Sequence, residues 1–272
     1  MTRLTTEWLT PIQGAMAEWD QKLVSLTGHN LAALACRACG STENMAAGKK
    51  AAVIPITSGE GVIGRFAESV AAILRTIGMD AAVTDTTDVT GLYEAVNKDV
   101  DLVFMADDDR YIALSLKTGK VGENDLCTAL GYRQLLIECN RLRNGDSLKG
   151  KPVLLMGYGR VGHIMYRLLK EIGTEVTVFD KDPEKQAELA RDDIPQIRDR
   201  KKIGEFRLIV DLTNEGDWLD REWLQNEVIM AAPGVPLSLH PEDAADFTER
   251  VIHDDLEIGT AVMAMKALGD RA

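Results

Sequence analysis

Three glycines in one short segment offer the clearest chemistry in this chain of 272 residues. Gly157, Gly159 and Gly162 have the spacing G-x-G-x-x-G and directly follow the apolar run of residues 153–156. In such a turn the first glycine allows a tight strand-to-helix connection, the second lets a pyrophosphate approach the backbone, and the third lets the helix pack closely on the strand. The N-terminus of the next helix then offers free N–H groups to the phosphates. The segment therefore predicts a dinucleotide site, with contacts from Gly157, Tyr158, Gly159, Arg160, Val161 and Gly162.

Residues at the ends of later strands extend this site. Asp180 ends the next predicted strand, 21 residues beyond Gly159. A carboxylate at that position accepts hydrogen bonds from the ribose hydroxyls and repels a 2′-phosphate, so the sequence predicts NAD as the cofactor. Lys181 follows directly and is a predicted contact whose charge leaves NADP as the alternative. Thr213 and Pro233 follow two further strands, and we expect them at the nicotinamide half.

The strands of the first half end in hydroxyl and carboxylate side chains, namely Thr57-Ser58, Thr84-Asp85 and Asp107-Asp108-Asp109. Ligands of open α/β sheets bind beyond the carboxyl ends of the strands. Because Arg110 is the one cation beside these residues, the loops favour a cationic or amine-bearing substrate. The alternative is that an acidic chain carries acidic loops throughout. Thr57 or Ser58 could also cap a helix by accepting its free N–H groups.

The composition argues against several classes of partner. The net charge of -12 disfavours sequence-independent nucleic-acid binding. No apolar stretch approaches the roughly 18 residues of a membrane span, and the N-terminal residues lack the apolar run of a signal peptide. Cys36 and Cys39 form a lone C-x-x-C without the second ligand pair of a zinc site, and no histidine has a partner typical of a triad. We therefore expect a cytoplasmic protein with no nucleic-acid partner, no membrane partner and no metal.

Alternating strands and helices must position these residues. The apolar runs predict strands at residues 51–56, 81–84, 102–105, 153–156, 175–179, 208–211, 228–231 and 251–253. Helical patterns are predicted at residues 5–26, 31–39, 66–77, 90–96, 126–142, 161–172, 183–190 and 258–268. Residues 111–116 fit either an edge strand or a turn of helix. This alternation predicts parallel sheets whose faces are covered by helices.

The fold class is therefore α/β with two domains. Residues 1–145 are predicted to form an N-terminal, substrate-binding open α/β domain with N-terminal helices. Residues 146–256 are predicted to form a Rossmann-type, doubly wound parallel sheet that binds NAD. The boundary is placed at Asn144-Gly145-Asp146, a turn signal after the long helix. By analogy with other two-domain dehydrogenases, the final helix within residues 257–272 is expected to pack back on the first domain.

Several first-half motifs resemble the PylD family, which forms pyrrolysine. They are residues 53–59 (VIPITSG), 63–69 (IGRFAES), 85–91 (DTTDVTG), 93–96 (YEAV), 105–108 (MADD) and 116–120 (LKTGK), joined by the glycine motif and residues 258–261 (IGTA). The likeness runs over most of the chain and is far more specific than a glycine fingerprint alone.

The resemblance implies an NAD-dependent amine dehydrogenase that acts on a CH–NH2 group. Its substrate would be the dipeptide-like amine 3-methyl-D-ornithyl-N6-L-lysine, whose terminal amine is oxidised and lost as ammonia. The ornithine α-amine then closes the pyrroline ring of L-pyrrolysine. The resemblance also implies a homodimer.

The resemblance further implies which residues touch the substrate. Asp107 and Ser58 are the expected catalytic and substrate-binding residues, and Thr57 belongs to the same loop as Ser58. Leu4 matches a leucine of the family's first helix, which is thought to close over the substrate. Glu60 stands where a family member has asparagine, in the serine–glycine loop.

The residues by themselves are also compatible with two other functions. The first is another two-domain NAD(P) dehydrogenase, of the methylenetetrahydrofolate or shikimate type. Such pockets rely on a lysine for acid–base work, and no lysine ends a first-domain strand here. The second is a non-catalytic NAD-sensing module, which would not need the polar strand ends of the first domain.

Overall fold

The computed structural model describes residues 4–247 and 249–269, which fold as two α/β units. The second unit is Tyr132–Asp255, and the first contains the described residues up to Gly131 together with those from Leu256 onward. The division falls inside one uninterrupted helix, α6 (Asn124–Asn144), and not at the turn of residues 144–146. A turn signal marks where a helix ends, whereas the units separate where the packing partners of that helix change.

Three helices open the first unit: α1 (Thr6–Leu9), α2 (Ile12–Thr27) and α3 (Leu31–Ala38). The single helix predicted over residues 5–26 is interrupted before Ile12, where Pro11 stands. Proline has no N–H to donate and its ring clashes with the preceding turn, so a continuous helix cannot pass through this position. The amphipathic pattern continues across the break, which is why the sequence indicated one helix.

The first sheet has the order β2-β1-β3-β4-β5, and its strands are β1 (Lys50–Ile54), β2 (Asp80–Val83), β3 (Leu102–Ala106), β4 (Tyr111–Ser115) and β5 (Val121–Glu123). β2, β1 and β3 are parallel, but β4 and β5 are antiparallel. The predicted parallel sheet is formed by β2, β1 and β3, and β4 and β5 extend it as an antiparallel edge. Residues 107–110 connect β3 to β4, and a connection this short permits only antiparallel pairing.

The remaining helices of the first unit are α4 (Phe66–Thr76), α5 (Asp88–Asn97) and α10 (Glu257–Leu268). α10 is buried along almost its whole length and packs on α3, α4, β4 and β5. Gly122 of β5 makes this contact close, because a Cβ there would lie 2.4 Å from the Met263 carbonyl oxygen. The last helix thus forms part of the core of the first unit.

The second sheet is wholly parallel and consists of β6 (Pro152–Met156), β7 (Glu175–Phe179), β8 (Gln196–Ile197), β9 (Leu208–Asp211), β10 (Ile229–Ala232) and β11 (Val251–His253). Its order is β11-β10-β9-β6-β7-β8. Counted within the unit this is 6-5-4-1-2-3, the order of a dinucleotide-binding Rossmann sheet, with the switch point between β6 and β9.

Helices α7 (Arg160–Glu171), α8 (Pro183–Arg191) and α9 (Pro241–Asp246) accompany this sheet, with 3-10 helices at Arg200–Glu205 and Arg221–Trp223. Most residues of the central strands are fully buried, as expected where both faces of a parallel sheet are covered. In the part of the chain that the structure describes, no helix combines the length and the hydropathy needed to cross a bilayer.

Candidate functional site

The glycine turn has the geometry that its sequence predicts. Gly157 has φ +90°, and its N–H donates to the Phe179 carbonyl at 2.8 Å. A Cβ on Gly162 would lie 2.3 Å from the Gly157 carbonyl oxygen, so α7 can approach the turn only with glycine there. Gly159 is the N-cap of α7 without a side-chain cap, and nothing lies within 4 Å of its missing Cβ. The open space and the uncapped N–H groups fit a pyrophosphate.

The Asp180 carboxylate ties the end of β7 to this turn. Its Oδ2 accepts the Tyr158 N–H at 2.7 Å, and its Oδ1 accepts the Asp182 N–H at 2.9 Å. A carboxylate oxygen can accept more than one hydrogen bond, so both oxygens can still receive a ribose hydroxyl. The neighbouring Lys181 forms an ion pair with Glu215, in the loop after β9.

His163 supports the turn from the first part of α7, a role that the sequence did not predict. Its ring packs on the buried Tyr158 ring with centroids 3.9 Å apart. Its Nδ1 lies 2.7 Å from the Gly159 carbonyl oxygen and its Nε2 lies 2.6 Å from Glu188 Oε1. Lys185 and His163 together lower the pKa of Glu188 to about 2. The backbone around Gly159 is therefore held in place by side chains of α7 and α8.

The side chain of Tyr158 is buried within the second unit. Arg160 and Val161 form the first turn of α7. That these three residues contact the cofactor stays a prediction.

A buried carboxylate organises the loops at the other side of the switch point. Asp211 is fully buried at the end of β9 and accepts the Thr213 N–H at 3.0 Å, the Thr213 hydroxyl at 2.6 Å and the Ser238 hydroxyl at 2.5 Å. Burial raises the pKa of Asp211, and these hydrogen bonds oppose that rise. A Cβ on Gly234 would lie 2.2 Å from the Thr213 carbonyl oxygen. The predicted contacts Thr213 and Pro233 thus belong to two loops that touch each other.

His253 is the last residue of β11, the second strand after β9 in the chain. Its Nδ1 lies 2.8 Å from the Ala232 carbonyl oxygen, and its Nε2 lies 3.4 Å from Asp255 Oδ1. Burial lowers the pKa of His253, but the Asp255 carboxylate and the Ala232 carbonyl raise it by more, so the net direction is upward.

In the first unit, the loops that follow β1 and β3 meet at one edge of the sheet. β1 and β3 are neighbours in parallel register, with Ile54 opposite Met105. The Asp108 Oδ2 accepts the Glu60 N–H at 2.8 Å, and a Cβ on Gly59 would lie 2.0 Å from this oxygen. Asp108 therefore holds the serine–glycine loop. The sequence places Asp108 in the acidic strand end and in the motif of residues 105–108, but it does not indicate this contact.

Thr57 is held by Asp88 at the start of α5. Its N–H and its hydroxyl donate to the Asp88 carboxylate at 2.8 and 2.7 Å, and these bonds lower the pKa of Asp88. The expectation that Thr57 or Ser58 caps a helix is wrong, because α4 begins only at Phe66. Its N-cap is Arg65, which has φ 69° and makes no side-chain cap.

Asp107 uses one carboxylate oxygen to fix the turn between β3 and β4. Oδ1 accepts the N–H groups of Asp109 and Arg110 at 2.9 and 2.7 Å. Oδ2 has no hydrogen-bond partner among the described residues, and the side chain is exposed. The adjacent Arg110 guanidinium pairs with Glu123 at 2.5 Å, so its charge is compensated. Ser58 is also exposed, two residues before the Glu60 N–H that Asp108 binds.

Leu4 is half-buried and lies two residues before α1, not within it. The helix starts only at Thr6 because Thr5 is its N-cap and accepts the Trp8 N–H through its hydroxyl. Thr6 lies against the loop that follows the serine–glycine segment, since a Cβ on Gly64 would be 2.8 Å from Thr6 Oγ1. No group of three or more histidine, cysteine or acidic side chains suited to a metal ion occurs in residues 4–247 and 249–269.

A Rossmann sheet with its glycine turn, joined to a second α/β unit, is the architecture of the two-domain dehydrogenases of the Rossmann class. Solved structures with this architecture include shikimate 5-dehydrogenase from Thermus thermophilus, with a TM-score of 0.50 and 17% identity over 81% of this chain and 93% of that one. Shikimate dehydrogenase from Aquifex aeolicus also has a TM-score of 0.50, with 14% identity over 80% of this chain and 91% of that one. At these identities the likeness shows the fold alone.

The sequence relatives are more specific. The N-terminal domain of pyrrolysine biosynthesis protein PylD matches residues 10–122, and the TrkA-N domain matches residues 153–202. A pyrrolysine synthase of Methanosarcina barkeri is 31% identical over 269 residues, which is 98% of both chains. One of Methanosarcina acetivorans is 30% identical over 98% of this chain and all of its own length. The chain belongs to the PylD family of pyrrolysine synthases, which confirms the resemblance seen in the first-half motifs.

Proposed function

We propose that this chain is an NAD-dependent amine dehydrogenase that forms L-pyrrolysine from 3-methyl-D-ornithyl-N6-L-lysine. The observation that carries the proposal is the similarity to two pyrrolysine synthases over 98% of the chain. That span includes both the glycine turn of the second unit and the acidic loops of the first. The acidic loops suit a substrate that carries several amines.

The residues of the second unit fit NAD. Gly159 and the first N–H groups of α7 would hold the pyrophosphate, Asp180 the adenosine ribose, and Thr213 with Pro233 the nicotinamide half. When bound, NAD supplies the two-electron acceptor that takes a hydride from the carbon bearing the terminal amine. A carboxylate at Asp180 leaves no favourable place for a 2′-phosphate, which supports NAD over NADP.

Asp107 is the proposed partner of the substrate amine. A protonated amine cannot be oxidised to an imine, because its nitrogen lone pair is held in the N–H bond. Asp107 Oδ2 would accept an N–H from the ammonium, orient it and receive the proton, which is general-base work. Ser58, Thr57, Glu60 and Leu4 would complete the substrate contacts.

The products follow from the balance of atoms. Loss of one proton and one hydride converts the CH2–NH3⁺ group into a protonated imine. The ornithine α-amine then attacks this carbon directly, or water does so first to give an aldehyde that the α-amine condenses with. In both cases the terminal nitrogen leaves as ammonia and the five-membered ring closes.

The direct test combines the purified chain, NAD and the dipeptide. We expect one equivalent of NADH and one of ammonia for each dipeptide consumed, and pyrrolysine by mass spectrometry. NADH binding without turnover of the dipeptide would favour the NAD-sensing module or another substrate of the dehydrogenase class. Analytical ultracentrifugation of the same preparation should give a mass of twice the 29.8 kDa of one chain if the proposed homodimer forms.

A further inference from the structure

An ion pair lies beside the residue that is proposed to bind the adenosine ribose. Lys181 directly follows Asp180, and its ammonium pairs with the Glu215 carboxylate in the loop after β9. The two side chains are 58% and 48% exposed. The pKa of Glu215 is lowered, first by its hydrogen bond and charge interaction with Lys181, so Glu215 stays ionised at neutral pH.

A second cation acts on the same carboxylate. The Arg200 guanidinium lies 5.0 Å from the centroid of the Trp218 ring, and Trp218 stacks on Phe179, the residue before Asp180. The charge of Arg200 also favours ionised Glu215 and lowers its pKa, but by less than Lys181 does. Lys181 thus follows the end of β7 and pairs with Glu215, and Arg200 is separated from the last residue of β7, Phe179, by the Trp218 ring.

NADP differs from NAD only by a phosphate on the adenosine ribose. A protein of this fold accepts that phosphate when a cation stands near the position of the acidic residue. Lys181 and Arg200 are cations of this kind. Glu215 compensates the charge of Lys181, the residue that follows Asp180, and adds a negative charge at the Lys181 ammonium, so a phosphate there would meet repulsion where it would otherwise find a partner.

We propose that Glu215 is a specificity-determining residue, which keeps Lys181 in an ion pair and so denies the 2′-phosphate of NADP its cationic partner. The inference rests on the proposed binding of NAD at Asp180. An ion pair this exposed adds little to the stability of the fold. Its removal should therefore change the choice of nucleotide and leave folding intact.

The experiment measures the dissociation constants of NADH and NADPH by nucleotide fluorescence on the full chain. Glu215→Gln should raise the affinity for NADPH relative to NADH roughly five- to tenfold, since it removes one repulsive charge and releases Lys181. Adding Lys181→Ala to Glu215→Gln should abolish this gain. Glu175→Gln is the matched control, because it removes the same charge from the opposite end of β7.

The outcomes distinguish a failure of the role proposed for Glu215 from a failure of the proposed NAD site. An unchanged NADPH-to-NADH ratio in Glu215→Gln, or an equal change in Glu175→Gln, would overturn the role of Glu215 while NADH binding stands. A gain that survives Lys181→Ala would overturn the part given to the ion pair. If the wild-type chain binds neither nucleotide, the proposed cofactor site fails and the inference fails with it. Circular dichroism of each variant verifies the fold.

Discussion

At the scale of single residues, the proposed chemistry depends on the two oxygens of the Asp107 carboxylate having different roles. Asp107 Oδ1 is committed to the turn between β3 and β4, where two N–H groups bind it. Oδ2 has no hydrogen-bond partner among the described residues, and the side chain is exposed. Fixing one oxygen restricts the rotation of the side chain, so the second oxygen is presented in a defined direction. A substrate ammonium therefore binds an oxygen that is already oriented, which lowers the entropy cost of binding.

Asp107→Asn separates the structural role from the chemical one. An asparagine keeps an oxygen that can accept the two turn N–H groups, but it has no charge and cannot take the proton. We expect turnover of the dipeptide to fall by about a hundredfold or more. The dissociation constant of NADH and the thermal midpoint should stay close to those of the wild type.

Asp109→Asn is the control, because it removes the same charge from an exposed neighbour two residues away. Steady-state assays on both variants measure the contrast. Equal losses in Asp107→Asn and Asp109→Asn would show that the loops act only through their summed charge.

His253 makes stability depend on pH. Its pKa in the folded state is raised above the ordinary 6.5, because the Asp255 carboxylate and the Ala232 carbonyl outweigh its burial. A raised pKa means that the folded state holds the proton more tightly than the unfolded chain does. The contribution of His253 is therefore fully present below about pH 6.5 and is lost as the pH rises through the folded value.

His253→Gln removes the titrating group and retains a hydrogen-bond donor. Urea unfolding of wild type and variant at about pH 5.5 and pH 8.5 measures the effect. The wild type should exceed the variant in free energy of unfolding by more at the lower pH. A difference that is constant, or that grows toward alkaline pH, would show that the histidine is not stabilised in its protonated form.

At the scale of elements, local patterns predicted the longer strands and helices of both units and missed the shortest elements. The strands Glu175–Phe179 and Leu208–Asp211 have the predicted bounds, because apolar runs flanked by turn residues identify buried parallel strands. The three-residue β5 and the two-residue β8 were not predicted, since runs this short show no period. Residues 111–116 fit either a strand or a turn of helix, because a short apolar run without alternation does not distinguish the two.

The parts of the site that the sequence could not give are contacts between distant residues. Asp88 binds Thr57 across 31 positions, and Asp108 binds Glu60 across 48. No local pattern reports such pairs, because they arise only when the strands align. The glycine turn could be predicted, since all its parts lie within six residues and each has a local geometric reason.

Gly122→Ala tests the close packing of α10 on β5. A Cβ at Gly122 would lie 2.4 Å from the Met263 carbonyl oxygen and 2.9 Å from its Cα, so α10 would have to shift. Overpacking of this kind destabilises a core by about 1–3 kcal/mol. A lower thermal midpoint is the expected result.

Gly14→Ala is the matched control in α2, where a Cβ would meet nothing within 4 Å. Gly14 is the third residue of α2, and alanine is favoured over glycine in a helix by up to about 1 kcal/mol, so this variant should be neutral or more stable. If Gly122→Ala is as stable as Gly14→Ala, the strand does not need glycine for the contact with α10.

At the scale of the whole molecule, each unit contributes one half of the proposed reaction. The second unit has the sheet order and the glycine turn of a dinucleotide-binding protein. The first has an acidic edge, where the Arg110 charge is compensated by Glu123. With a net charge of -12, the chain as a whole attracts cationic molecules and repels polyanions. A substrate with several amines matches this field.

The most direct test follows two deuterium atoms placed on the carbon that bears the terminal amine of 3-methyl-D-ornithyl-N6-L-lysine. The dipeptide is incubated with NAD and the purified chain, and the masses of the reduced nucleotide and of pyrrolysine are measured by mass spectrometry. We predict one deuterium in the reduced nucleotide for each ammonia released, and the other on the imine carbon of pyrrolysine. Reduced nucleotide without deuterium, or ammonia released without reduced nucleotide, would contradict the proposed oxidation of this carbon.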